Sequence, residues 1–165
     1  MESRKIAVLC NYELLPERVG GMDYFFWAFD AKCKEKGIKI DWFFPNRSTH
    51  GEYSNLNIID TKYQNTEVFF AKYCEGYSQN YDFIITHFVE LCTPVFKKIS
   101  KLSTAKIIMV DHNPRPLNGY PLKKKITKKI KGLLCSKYIN LFIGVSQYTT
   151  NEIINDFGSH LKTKI

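Results

Sequence analysis

Five short apolar runs, KIAVLC (Lys5–Cys10), IKIDWFF (Ile38–Phe44), YDFIIT (Tyr81–Thr86), AKIIMV (Ala105–Val110) and LFIGV (Leu141–Val145), punctuate this chain at wide intervals. Each is continuous where a strand with one wet face would alternate, so each reads as a strand covered on both sides. Every interval between them holds a segment with helical periodicity. Strands that alternate with helices pair in parallel, because a helix is the shortest practical way back to the start of a neighbouring strand. Few other patterns restrict the choice of fold so strongly.

The helical intervals can be placed from their punctuation. Gly20–Gly37 carries Phe25, Phe29 and Cys33 at helical spacing, with Gly37 as a stop. Leu56–Ile59 reads as a further short strand, and Glu67–Tyr77 as a helix with Val68, Ala71 and Cys74 on one face. Thr93–Leu102 reads as a helix with Thr93 as N-cap and Pro94 at its first position. Pro114–Gly119 is a loop, Pro121–Cys135 a helix, and Ser146 opens a last helix that ends near Phe157 and Gly158. The prediction is an α/β, Rossmann-like, doubly wound parallel sheet of about six or seven strands with helices on both faces, formed by residues 1–165 as one domain.

The formal net charge of +8 is concentrated in one place. From His112 to Asn151 there is no Asp or Glu, while Arg115, Lys123, Lys124, Lys125, Lys128, Lys129, Lys131 and Lys137 contribute eight positive charges. The other 16 Lys and Arg balance the 16 acidic residues. Within this window Leu122, Ile126, Ile130, Leu133 and Leu134 form an apolar stripe along the predicted helix. Packed on the sheet, the stripe would leave the lysines solvated; turned outward, it would be a basic, apolar-edged surface suited to anionic lipid. No nucleic-acid reading motif accompanies the charge. No run approaches the roughly 20 apolar residues of a membrane span, and the residues after Lys5 are too few for a signal-peptide core. The five cysteines are odd in number and lack Cys-x-x-Cys spacing, so unpaired, mostly buried thiols and a cytoplasmic setting are expected.

In a doubly wound sheet, ligands bind beyond the C-terminal ends of the strands. That rule selects Gly20 and Gly21 after the first strand, His87, Asp111 and His112, and Ser146. A glycine pair before a helix can let an anion reach backbone N–H groups at the positive end of the helix dipole, or can be a plain turn. It is neither Gly-x-Gly-x-x-Gly nor a phosphate loop. Two histidines ending two strands bring imidazoles to one edge. Adjacent strand residues point to opposite faces, which argues against an Asp111–His112 dyad. No third ligand stands at metal-binding spacing.

Taken together, KIAVLC with its Gly20-Gly21 loop, YDFIITHF, AKIIMVDHNPRP and INLFIGVSQYTT resemble, in order and spacing, the N-terminal domain of a GT-B glycosyltransferase of the retaining family 4. The resemblance implies an acceptor-binding half of an enzyme that transfers a sugar from a nucleotide sugar to a glycan or lipid-linked acceptor, as in cell-surface polysaccharide synthesis. It implies that His112 stands at the reacting sugar, that Gly20 and Gly21 approach the donor diphosphate, and that His87 and Ser146 line the cleft. No cofactor or metal beyond the nucleotide-sugar co-substrate is implied. The basic positions Arg115, Lys123, Lys124 and Lys128 would then face an acceptor or an anionic membrane at the inner surface. The family's donor-binding domain is absent from these 165 residues, so this half alone is not expected to transfer sugar. A non-catalytic Rossmann-like binding domain is the other expectation.

Overall fold

The computed structural model describes residues 4–77 and 80–165. Six strands, β1 (Lys5–Cys10), β2 (Lys39–Phe44), β3 (Ile58–Asp60), β4 (Phe83–His87), β5 (Lys106–Asp111) and β6 (Leu141–Gly144), form one sheet. Their order is β3-β2-β1-β4-β5-β6, and every pairing is parallel. The connections are helices α1 (Gly21–Glu35), α2 (Thr66–Gly76), α3 (Val95–Leu102), α4 (Leu122–Cys135) and α5 (Gln147–Phe157), with short 3-10 turns between them. This is the six-strand, doubly wound Rossmann-like order, with its switch point between β1 and β4.

The continuous apolar runs work as expected because each strand feeds two cores. Ala7, Leu9, Ile84, Ile107, Met109 and Phe142 face one side, where Phe70 of α2, Phe96 of α3 and Ile153 of α5 cover them. Ile6, Val8, Ile40 and Trp42 face the other, under Phe26 and Cys33 of α1. On this second side cover thins toward the edge: Ile108, Val110 and Leu141 are half-buried, and Ile143 is 41% exposed.

Local signals set the helix ends. Asp23 supplies half of a capping box at the start of α1: its Oδ2 accepts from the Gly20 N–H at 2.9 Å, and glycine has no side chain to return the bond. Gly37, at φ +69°, closes the helix through Gly37 N–H to Lys34 and Ile38 N–H to Cys33 bonds, a Schellman arrangement. At α3 the expected cap is corrected. Pro94 occupies the cap position, and the Thr93 hydroxyl is buried without a partner; the Phe96 N–H takes the Thr93 carbonyl in its place. The five cysteines are all unpaired and four are buried. Among the described residues no helix is long and apolar enough to cross a membrane.

Of the two orientations open to α4, the structure takes the outward one: its apolar stripe does not pack on the sheet. Leu122, Ile126, Ile130, Leu133 and Leu134 are all exposed, and the only buried residues of the helix are Gly132 and Cys135. The helix is held by its opposite side. Gly132 abuts the Phe157 carbonyl of α5 so closely that any Cβ there would collide with it. Lys128 pairs with Asp156 and Lys131 with Glu90. Periodicity located an apolar face; it could not say which way that face points.

Candidate functional site

Register brings the C-terminal ends of β1, β4 and β5 level. Cys10 lies beside His87 and His87 beside Val110, one residue before Asp111. His87 and His112 leave their strands on the face that α1 covers. Their rings meet there: His87 Nδ1 and His112 Nε2 are 2.9 Å apart. Phe25 and Phe26 of α1 pack edge-on to His87, at 5.6 and 5.9 Å between ring centroids. Phe88 stacks on His112 at 4.4 Å and 23°. To do so Phe88 adopts φ +57°, a left-handed conformation unusual for a bulky residue and of the kind that collects at functional sites.

Both imidazoles are held neutral. Burial is the main cause for His87, whose pKa is pushed down to about 3, and the neighbouring His112 adds to it. Burial also lowers the pKa of His112, against the opposing pull of the Asp111 charge. Two neutral imidazoles sharing one hydrogen bond contain one donor and one acceptor along it. The pair's own bond leaves two ring nitrogens over, His87 Nε2 and His112 Nδ1; the role of His112 Nδ1 as donor or acceptor is set by the tautomer that His87 selects.

Asp111 turns to the opposite face, as strand geometry requires, and makes no dyad with His112. Its Oδ2 accepts from Arg115 Nη2 at 2.8 Å, and its Oδ1 from the Asn113 N–H at 3.0 Å. Arg115 Nε donates to Asp156 at 2.7 Å, and Lys128 Nζ reaches the same oxygen at 2.8 Å. Arg115 is therefore not part of a surface, as the sequence suggested, but the centre of a buried ionic cluster between β5 and α5. Lys128 is likewise turned inward. Lys123 and Lys124 are exposed, with Lys124 Nζ over the Tyr120 ring at 4.3 Å. A cleft of about 320 Å³ opens on the α4 side, lined by Phe88, Glu90, Asp111, Asn113, Lys124 and Lys128; neither histidine lines it, and Phe88, which stacks on His112, is the residue the two share.

Gly20 and Gly21 open α1 on the same edge. A Cβ at either position would meet nothing within 4 Å, so no contact inside the chain demands glycine there. The bare backbone faces open space that a ligand can enter. One N–H of this loop is already used. Asp23, fully buried, accepts from Gly20 N–H, Tyr12 Oη at 2.9 Å and Tyr53 Oη at 2.6 Å. Burial alone would raise its pKa, but the Tyr53, Gly20 and Tyr12 hydrogen bonds outweigh that and keep it low. A carboxylate thus stands where the helix dipole favours an anion. The pattern Gly-Gly-x-Asp, with an acid three residues into the helix, was the sequence signal for this cap.

Ser146 serves α5. Its hydroxyl accepts from the Thr149 N–H at 3.1 Å and lies 2.7 Å from Thr149 Oγ1. Ser146→Ala is expected to lower stability by about 1 kcal/mol in a urea melt, the usual worth of an N-cap; an unchanged midpoint would mean that the cap contributes nothing. Phe88, Tyr12 and Asp156 were not singled out in the sequence. They act through contacts made across the fold, which no spacing reveals.

The sheet order defines a Rossmann-like α/β domain, with the paired imidazoles at its C-terminal edge. No family model matches the chain, and no curated protein does. Among solved structures it is similar to ADP-L-glycero-D-manno-heptose-6-epimerase from Helicobacter pylori, at 13% identity and a TM-score of 0.43. The match covers 87% of this chain and 54% of that one, so the chain spans about half the epimerase's length.

Proposed function

We propose that this chain is the acceptor-side, N-terminal half of a GT-B glycosyltransferase, in which a sugar passes from a nucleotide sugar to an anionic glycan or lipid-linked acceptor. The observation that carries the reading is the His87–His112 pair: two neutral imidazoles, one buried and one half-buried, bonded to each other at the C-terminal edge of the sheet. A neutral His112 can hydrogen-bond a sugar hydroxyl without placing a full positive charge beside the reacting carbon. His87 fixes its tautomer, and Phe88 fixes its ring plane. The open backbone at Gly20 and Gly21 is the donor-facing wall, and the cleft lined by Lys124 and Asn113 is the acceptor side.

Titration of the labelled protein with UDP-sugars and GDP-sugars tests this by NMR. Backbone shifts at Gly20, Gly21, His87 and His112 are expected to move together, and His112→Ala to weaken that binding by about tenfold, the worth of one well-placed hydrogen bond. If nucleotide sugars at millimolar concentration leave those signals in place even after a donor-binding domain is joined to this chain, the transferase reading fails. The Asp23 carboxylate at the α1 N-terminus favours a second reading, a non-catalytic binding domain, because it occupies the position a donor phosphate would seek. That reading gains if neutral ligands alone shift the His112 signals.

A further inference from the structure

We propose that the outward face of α4 is a docking surface for an anionic lipid bilayer. Leu122, Ile126, Ile130, Leu133 and Leu134 lie within about a third of the helix circumference, at 100° per residue. All five are between 51% and 73% exposed. Leu117, in the preceding loop, is fully exposed and borders the same side as Lys125 and Lys129. A surface helix ordinarily turns such a stripe to the core; a contiguous exposed apolar patch marks an interaction surface.

The orientation is enforced. Gly132 against Phe157, the Lys128–Asp156 pair and the Lys131–Glu90 pair clamp the opposite side of the helix to the protein. Rolling the stripe inward would break both ion pairs and push bulky side chains into the space that only Gly132 fits.

Charge decides the occupant. Lys123, Lys125 and Lys129 flank the stripe and are exposed, and no acidic residue occurs from His112 to Asn151. Of the carboxylates that share a pocket with these lysines, Glu90 and Asp156 are taken by Lys131 and Lys128, and Glu152 accepts from Asn155. A second copy docked face to face would set these lysines against their own images with nothing to neutralise them. A bilayer with anionic headgroups offers negative charge and an apolar interior together, along the whole length of a 14-residue helix, about 21 Å. This inference does not depend on the transferase reading.

Sedimentation with vesicles tests it, using phosphatidylcholine alone and phosphatidylcholine mixed with phosphatidylglycerol. The protein is expected to bind the anionic vesicles on the order of a hundredfold more tightly, from three lysines at roughly fivefold each. The paired change Ile126→Glu with Ile130→Glu should abolish binding while leaving the circular dichroism spectrum unchanged, since both side chains are already in water. Lys123→Gln and Lys129→Gln should each weaken binding about fivefold. Equal binding to both vesicle types overturns the proposal, as does wild-type binding by the double variant. So does a dimer in light scattering that the double variant dissolves while vesicles bind nothing.

Discussion

Arg115→Ala is expected to lower folding stability by about 3–5 kcal/mol, the usual effect of breaking a buried ion pair from one side. The guanidinium satisfies two carboxylates at once: Asp111, on the last residue of β5, and Asp156, near the end of α5. It also donates Nη1 to the Asn113 carbonyl at 2.6 Å, which fixes the chain just beyond His112. Without it, Asp111 is left buried with only a backbone N–H, and Asp156 with only Lys128. A surface arginine would cost no more than about 0.5 kcal/mol. A urea melt at neutral pH separates the two cases, and a loss below about 1 kcal/mol would show that the cluster is not buried in solution. Arg115→Lys should recover little, because an ammonium cannot reach both carboxylates with the planar fork. Replacing Arg115, Asp111 and Asp156 together by apolar residues of similar volume should cost far less than Arg115→Ala alone, since no buried charge is then stranded.

The second large effect is acid sensitivity at His87. In the unfolded chain its imidazole takes a proton near pH 6.5; in the folded protein burial and His112 push this down to about 3. Between those values the unfolded state binds a proton that the folded state refuses. The stability that neutral His87 contributes is therefore fully present above about pH 6.5 and is lost as pH falls toward 3. The slope approaches about 1.4 kcal/mol per pH unit where His87 dominates, and His112, also lowered, acts in the same direction. His87→Asn keeps a polar group near the Nδ1 position and cannot titrate. It should be less stable than the parent at pH 7.5, with the gap closing as pH falls through 6 and 5. Stability curves that stay parallel across this range would show that His87 titrates normally and is not held neutral. The result bears on function directly, since a pair that stays neutral can offer hydrogen bonds to a sugar but no positive charge.

Much of this fold was legible because it depends on short-range pattern. Continuous apolar runs announced strands with two covered faces, and Gly37, Gly158 and Ser146 ended or began helices where their chemistry allows. The ligand edge followed from strand order, so His87 and His112 could be placed on one rim before their rings were seen to meet. Thr93 misled because a hydroxyl in the right position is no guarantee of a cap; the backbone carbonyl met the need first.

What the amino-acid order determined by itself is the alternation of strands and helices, the position of each turn, and the gathering of eight positive charges in one acid-free segment. Only the tertiary structure decided how those charges divide. Arg115 and Lys128 are drawn inward because Asp111 and Asp156 stand within reach, and a buried carboxylate without a cation is costly. Once α4 is anchored through those lysines and the Gly132 contact, its apolar stripe has no place left to face but out. A helical period records that two faces differ. Which of them meets the core depends on partners far away in sequence, some 28 residues between Lys128 and Asp156 and 41 between Glu90 and Lys131.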